Sequence, residues 1–346
     1  MFFSSALADY RSSGPRLHPE VAAAGLHDVI VSGPGILDGR GDAWWPAAQA
    51  ARDPITGRQF TGTTPRPSLV AFSQCQRVRI EGLTLRHSPM YALSVGNSQD
   101  VAVEGLTVLN PPDSPNTNGV DVKSAERVRI AHCQIDTGGE CVALGSFAGE
   151  REQEVLVTDC TFRHGHGCSI GSGTAGGVRD ITVRRCTFVG TETGVRLKSA
   201  RGLGGLTENV VYEDLTMTGV YRAISINSFY DGTTRDTART GLIAPAPVTG
   251  DSQTPGWKNI RIRNLTAAGC TLDAGLILGL PEIPAEAIVL EHVTIDAPRG
   301  LQISYARDVT LDDVHIRTQD GAPFQISSRV TDLRGHGTPG IDPAGP

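Results

Sequence analysis

The chain has 346 residues, of which 39% are apolar, and its 41 glycines and 21 prolines predict short elements separated by many turns rather than long helices. A net charge of -6 and the lack of any run of Lys and Arg argue against nucleic acid as a partner. No stretch approaches the roughly 18 consecutive apolar residues of a membrane span, and residues 1–10 lack the basic start and apolar segment of an export signal. We therefore expect no nucleic-acid or membrane partner.

A strand-like segment recurs along the chain. Nine copies align: VRIEGLTL from Val78, VAVEGLTV from Val101, VRIAHCQI from Val128, VLVTDCTF from Val155, ITVRRCTF from Ile181, VVYEDLTM from Val210, IRIRNLTA from Ile260, IVLEHVTI from Ile288 and VTLDDVHI from Val309. Consecutive copies begin 21 to 29 residues apart, except for one step of 50. A period in the twenties with alternating apolar residues is typical of a parallel β-helix. We predict an all-β, single-domain, right-handed parallel β-helix.

This predicted domain covers residues 1–330, with 1–28 as an N-terminal cap or lead-in. The long step contains an insertion at 229–257, rich in Thr, Gly and Pro, which we expect to form a wall over a groove. Residues 331–346 are rich in Gly and Pro and are expected to be a tail rather than another coil.

The columns of the alignment predict how the coils stack. The third position is apolar in every copy, as an inward-facing ladder requires. The sixth position is Leu or Val except for Cys133, Cys160 and Cys186, which we interpret as buried free thiols. The fifth position suits a bend with positive φ, so His132 and His292 are predicted to be turn residues, not catalysts.

A second strand follows the repeat in each central coil, and its alternation leaves two columns facing outward. The first column is Asp121, Ala143, Ser169, Arg196 and Ser225, and the second is Lys123, Gly145, Gly171, Lys198 and Asn227. Just before the strand, a third column contains Asn118, Glu140, His166 and Thr193. Small residues between charged ones predict an open groove with charged walls.

The chemistry of these columns suits an acidic carbohydrate. A carboxylate, an imidazole and two cations on one face could protonate a leaving group, activate water and hold a substrate carboxylate. We expect an acidic polysaccharide or oligosaccharide as the partner, with no cofactor and no metal.

Four ordered strings resemble those of glycoside hydrolase family 28, the polygalacturonases and rhamnogalacturonan hydrolases, whose fold is pectin-lyase-like. They are SPNTNG from Ser114, GGEC from Gly138, GHG from Gly165 and GVRLK from Gly194. The pieces GPGILDGRGDAWW and RHSPMYAL are similar to that family too. The resemblance implies a glycosidase that acts on pectin-like chains, and it favours a secreted or periplasmic location.

The resemblance also implies roles for matching residues. His166 would orient catalytic groups, Arg196 and Lys198 would grip a uronate carboxylate, and Tyr230 would line the same subsite. The predicted substrate-binding set is completed by Lys123 and Asn116.

The chain departs from the family at its carboxylates. The family usually has Asp where this chain has Asn118, and an Asp pair, the first of which is the general acid, where it has Gly139 and Glu140. Glu140 is one methylene longer than Asp and could reach the leaving oxygen, with Asp121 as its partner in an inverting pair. Asp121 is equally compatible with a surface ion pair to Lys123.

Two alternatives stay open. One is an impaired pseudo-enzyme or uronate-binding protein that keeps the basic subsite; the other is lyase or epimerase chemistry, which β-helices also host. The oligomeric state is not predicted.

Overall fold

A computed structural model describes residues 19–51, 65–230 and 249–341. Within these ranges the strands pair in parallel and wind into a right-handed β-helix with two hydrogen-bonded sheets. The predicted fold class is confirmed.

Eleven strands form one sheet. With strands numbered in chain order, they are β1 (Val21–Ala24), β3 (Val70–Ser73), β5 (Leu93–Gly96), β8 (Val120–Lys123), β11 (Val142–Ser146), β14 (Cys168–Thr174), β17 (Thr193–Lys198), β19 (Arg222–Asn227), β21 (Asp273–Leu278), β23 (Arg299–Ser304) and β25 (Phe324–Ile326). Each contributes one rung per coil, so residues more than twenty positions apart become neighbours.

Fifteen strands form the other sheet. They are β2 (His27–Asp38), β4 (Gln76–Arg86), β6 (Gln99–Glu104), β7 (Thr107–Leu109), β9 (Glu126–Ala131), β10 (Gln134–Asp136), β12 (Glu152–Thr158), β13 (Thr161–Arg163), β15 (Val178–Arg184), β16 (Thr187–Val189), β18 (Leu206–Thr218), β20 (Gly256–Ala268), β22 (Ala285–Ala297), β24 (Ala306–Thr318) and β26 (Val330–His336). A 3₁₀ turn (Gly41–Ala43) and the short helix α1 (Trp45–Ala50) follow β2. Neither they nor any other described helix is long and apolar enough to cross a membrane.

The coils stack in the register that the repeat predicts. The first residues of the nine copies are direct partners in an unbroken series from Val78 to Val309. One further coil precedes them, since Val29 pairs with Val78, and one follows, since Leu333 pairs with Val309. The apolar third position lies in the continuous core.

A residue with the left-handed backbone conformation bends the chain within each repeat copy. All nine residues at the fifth position have φ between 50° and 68°, including His132 and His292. Gly, Asn and Asp tolerate this conformation, which explains their recurrence. The thiols of Cys133, Cys160 and Cys186 are free and buried in the ladder one residue later.

Three predicted boundaries need correction. Residues 330–336 form β26, because the edge of β24 offers unpaired backbone groups to the next segment, so the coils continue into the predicted tail. Residues 21–24 form β1 and residues 27–28 begin β2, within the segment predicted as a cap or lead-in, and 256–257 begin β20 rather than ending a loop. The rest of the predicted cap (1–18), insertion (231–248) and tail (342–346) lies outside the described residues.

One carboxyl group is buried at the start of a strand of the fifteen-stranded sheet. Glu152, at the start of β12, has no exposed surface, and its Oε2 accepts a hydrogen bond of 2.7 Å from the backbone N–H of Ala125. Burial raises the pKa of Glu152 to about 8, from an ordinary value of 4.5, although Ala125 and Lys123 oppose the shift. The folded chain therefore holds a proton that the unfolded chain releases near pH 4.5.

The stability of the fold is predicted to fall as pH rises from about 4.5 to about 8. Because the folded-state pKa is raised, the contribution of Glu152 is complete below the unfolded value and is lost as pH rises through about 8, at a cost on the order of 3–5 kcal/mol. Glu152→Gln should flatten the pH dependence of the free energy of urea unfolding between about pH 4.5 and 8. Glu154→Gln, an exposed carboxylate on the same strand, is the matched control. Parallel losses in all three proteins would contradict the prediction.

Candidate active site

Four neighbouring strands of the eleven-stranded sheet carry the candidate site. Side chains alternate along each strand, so Asp121 faces away from the core that Val120 and Val122 enter. Arg196 likewise faces away from the core, between two core residues of β17, and Lys198 lies on the same face of that strand. The predicted outward parity of these columns is confirmed.

Glu140 lies at the centre of the cluster. Its Oε1 accepts a short hydrogen bond from Lys198 Nζ and one of 3.2 Å from Arg196 Nη1, and it lies 3.6 Å from His166 Nδ1. Burial opposes ionisation, but the charges of Lys198, His166 and Arg196 outweigh it and hold the pKa of Glu140 well below its usual range. Glu140 is therefore an ionised carboxylate.

Asn118 joins Glu140 to a second carboxyl group. Its Oδ1 accepts a hydrogen bond of 3.0 Å from the backbone N–H of Glu140, and its Nδ2 donates one of 2.8 Å to Asp121 Oδ2. The Asp121 side chain is only 4% exposed, and Lys123 Nζ lies 4.0 Å away. Burial raises the pKa of Asp121 although Lys123 and Asn118 oppose the shift, so Asp121 holds a proton more tightly than an ordinary aspartate does. The pKa values of the two carboxyl groups are thus shifted in opposite directions.

The cations of the cluster are covered. The Arg196 side chain has no exposed surface and that of Lys198 is 6% exposed. The ring of Tyr230 lies over them, with its centroid 4.6 Å from Lys198 Nζ and 6.0 Å from Arg196 Cζ. Arg196 therefore supports Glu140 from below, and Lys198 is the cation nearer to the surface.

The predicted open floor is wrong. A Cβ on Gly145 would lie 2.9 Å from Lys123 Nζ, and one on Gly171 would overlap the carbonyl oxygen of Lys198. The strand register also shifts after Leu144, so the serine-based alignment of β11 with β14 ends there. The space beside these glycines is therefore filled by the backbone of neighbouring strands and by the Lys123 side chain, not by solvent.

Position 139, where the resemblance led us to expect an acid in the family pattern, is tightly packed. A Cβ on Gly139 would overlap Asn118 Oδ1 and lie 2.9 Å from the backbone nitrogen of Asn118 and 3.0 Å from the carbonyl carbon of Thr117. No side chain fits at residue 139 unless this backbone moves.

In the third predicted column, which contains Asn118, Glu140, His166 and Thr193, the last residue is wrong. His166 N–H donates to Gly139 O and Glu192 N–H donates to Gly165 O, so Glu192, not Thr193, is the rung after His166. Glu192 Oε2 lies 3.4 Å from His166 Nε2, and Glu192 Oε1 lies 4.0 Å from Arg196 Nη2. The 26-residue spacing from Glu140 to His166 and on to Glu192 was a signal for it.

Two more residues were overlooked. Arg66 Nη1 donates to the carbonyl oxygens of Pro89 and Pro115, at 2.7 and 2.6 Å, and so anchors the SPNTNG loop. Burial, with the charges of Asp121 and Glu140, raises the pKa of Tyr91, which keeps its hydroxyl protonated. Neither residue stands in a repeating column, so the repeat gave no signal for them.

The remaining predicted residues lie at the margin. Lys123 is 24% exposed beside Asp121. Asn116 is a turn residue with φ of 54°, and among the described residues no hydrogen bond joins its side chain to the cluster. A cavity of about 570 Å³ adjoins the site and is lined in part by His166, Glu192 and Tyr221. In the described ranges no group of three His, Cys, Asp or Glu side chains is arranged to hold a metal ion.

Comparisons with known proteins agree with the fold described above. The sequence matches the family described as "Glycosyl hydrolases family 28" over residues 2–300. It is 33% identical to a polygalacturonase of Juniperus ashei and 31% identical to one of Chamaecyparis obtusa, each over 281 residues, which are 80% of this chain and 52% and 51% of those proteins. The chain thus spans about half the length of these relatives.

Two solved structures share the fold. The exopolygalacturonase of Thermotoga maritima superimposes with a TM-score of 0.72 at 24% identity, over 86% of this chain and 72% of that one. The polygalacturonase of Erwinia carotovora ssp. carotovora gives 0.68 at 21% identity, over 93% and 74%. At these identities the structures support the fold, while the match over residues 2–300 shows the family. The chain belongs to glycosyl hydrolase family 28.

Proposed function

We propose that this protein is an inverting glycoside hydrolase of polygalacturonase type that cleaves galacturonate-containing, pectin-like chains. The two carboxyl groups that Asn118 links, Glu140 with a lowered pKa and Asp121 with a raised one, carry this proposal, since inverting glycosidases need one carboxylate to activate water and one carboxyl group to protonate the leaving oxygen. The relatives named above are polygalacturonases, which supports the substrate class. We also propose a secreted or periplasmic location, where such polymers occur.

The electrostatics favour one division of labour. Glu140 is less suited to be the proton donor that its length first suggested, because Lys198, His166 and Arg196 lower its pKa. It is better suited to take a proton from water as the water adds to the anomeric carbon. Asp121 then gives its proton to the leaving oxygen as the glycosidic C–O bond breaks. Asn118 holds both groups in place by its two hydrogen bonds.

Lys198 is the proposed contact for a substrate carboxylate, beside the ring of Tyr230. Its ammonium group already binds Glu140, so an incoming uronate competes with Glu140 for the same cation. The buried Arg196 contributes positive charge through its contact with Glu140, and the partly exposed Lys123 contributes positive charge beside Asp121.

A uronate-binding protein without turnover is the second candidate. The packing at Gly139 favours it, because the position that usually carries the general acid has no room for a side chain. Reducing-end release separates the two candidates.

The variant Glu140→Gln tests the proposed catalytic role. Hydrolysis of galacturonate oligosaccharides, measured as new reducing ends, should fall by about 10²–10⁴-fold because the water-activating carboxylate is lost. Affinity for a galacturonate trimer, measured by calorimetry, should rise about tenfold, or about 1.4 kcal/mol, because Lys198 loses its internal competitor.

The matched control is Glu154→Gln, which makes the same chemical change on the other sheet. Undiminished hydrolysis by the Glu140 variant would exclude Glu140 as the base. Tight binding with no hydrolysis by the wild-type protein would establish the second candidate.

The variant Gly139→Asp tests whether the missing acid is a simple loss. An added carboxylate should destabilise the fold by about 1–3 kcal/mol, because it must displace the backbone of residues 117–118. It should also lower hydrolysis by disturbing Asn118. Urea unfolding and reducing-end assays check both effects, and a stable variant with increased activity would show instead that the chain had degenerated from an ordinary family member.

A further inference from the structure

Two of the three lysines of this chain stand at the candidate site. Lys123 and Lys198 occupy the outward face of the eleven-stranded sheet, whereas Lys258 lies exposed on β20 of the other sheet. The rest of the 31 Lys and Arg residues are arginines, whose planar groups suit fixed ion pairs. A lysine instead presents a compact ammonium group with three N–H donors. The site thus combines two cations that can turn toward a ligand.

The two ammonium groups approach the carboxyl pair from opposite directions along the stack of coils. Lys198, on β17, reaches back to Glu140, whose Oε1 accepts its hydrogen bond. Lys123, on β8, leans over the next coil, because a Cβ on Gly145 would lie 2.9 Å from its Nζ. The same Nζ lies 4.0 Å from Asp121 Oδ2. Each lysine therefore lies beside one member of the carboxyl pair.

Lys123 differs from Lys198 in what it already binds. Within residues 19–51, 65–230 and 249–341, its ammonium group donates no hydrogen bond. Its contact with Asp121 is 4.0 Å long, at the outer limit of an ion pair, and its side chain is 24% exposed. The donors of Lys123 are therefore free to bind an acceptor that arrives from solvent.

The surface beside Lys123 is open on the side of the preceding coil. Gly96, on β5, pairs with Lys123 in register, and a Cβ on Gly96 would meet no described atom within 4 Å. Ser94 pairs with Asp121 in the same way and is partly exposed. A sugar ring can therefore lie over β5 with its carboxylate beside the Lys123 ammonium group.

We propose that Lys123 binds a second uronate carboxylate, so that the two sugars joined by the cleaved bond are both uronates. This inference rests on the proposed function for the position of that bond, between Glu140 and Asp121. Lys198 contacts the carboxylate of one sugar, and Lys123 contacts that of its neighbour. The protein therefore prefers contiguous, unesterified uronates to chains in which uronates carry methyl esters or alternate with neutral sugars.

An ion pair with Asp121 alone explains the position of Lys123 less well. Asn118 already donates a hydrogen bond of 2.8 Å to the Asp121 oxygen that Lys123 approaches. The ammonium group lies over Gly145 instead of closing to hydrogen-bond distance. If Lys123 served Asp121 alone, its loss would change the binding of charged and neutral ligands equally.

The test removes charge from the protein and from the ligand in turn. The ligands are digalacturonate and its two monomethyl esters, and calorimetry measures their dissociation constants. Every protein carries Glu140→Gln, which keeps the ligand intact during the titration. In this parent protein, each monoester should bind about tenfold more weakly than the diacid, because one lysine loses a charged acceptor.

The lysine variants should give a crossed pattern. In Lys123→Gln, one of the two monoesters should bind as well as the diacid, and in Lys198→Gln the other monoester should do so. Lys258→Gln, the same change at an exposed lysine of the other sheet, is the matched control and should leave all three affinities unchanged. Equal weakening of all three ligands in Lys123→Gln, or persistence of both ester penalties, would overturn the proposal.

The outcome of this cycle does not depend on turnover. If the wild-type protein fails to hydrolyse galacturonate oligosaccharides but the crossed pattern occurs, the second uronate contact is supported and the proposed function alone fails. If hydrolysis occurs without the crossed pattern, the proposed function is supported and the role of Lys123 is wrong.

Discussion

The backbone hydrogen-bond ladder between coils is the constraint on which the site depends. Parallel pairing sets each rung about 4.8 Å from the next, whatever the length of the turns between strands. Residues 26 positions apart, such as Glu140 and His166, therefore become neighbours without any local sequence relation. Left-handed residues at the bends allow every coil to turn at the same point. A charged network spread over four coils can form because the strands that carry it stay in register up to the shift that follows Leu144.

The charge balance of the site follows from that stacking. Two cations on β17 and one imidazole meet two carboxylates from the preceding coil ends, and the shared Glu140 oxygen takes the strongest contacts. Breaking one partner from such a buried network is costly because the remaining charge loses its compensation. For the proposed uronate substrate, the same network offers an entry point at Lys198, where the substrate carboxylate would compete with Glu140 for the ammonium group.

The sequence predicted the features that depend on alternation. Alternation along a strand determines which side chains enter the core. The sequence therefore allowed us to predict the nine repeat copies and the outward direction of Asp121 and Arg196. Patterns do not fix how side chains fold over the surface, and so the burial of Lys198 and Arg196 beneath Tyr230 was missed. Glu192 was displaced by one position because the second-strand alignment extended past the strand start, where hydrogen bonds rather than letter similarity define the rung.

Asn118, Gly139 and Glu140, where the family resemblance led us to expect departures from the usual pattern, contact one another as a coupled set. Glycine at 139 lets the backbone at Thr117 and Asn118 pack against it, and this packing places the Asn118 amide on the N–H of Glu140. An aspartate at 118 would lack the N–H that now binds Asp121 and would set two carboxylates at hydrogen-bond distance, which raises the energy of both. The extra methylene of Glu140 carries its carboxylate to the cations instead. Each of these three residues fits the other two, so changing one of them alone disturbs a packed arrangement.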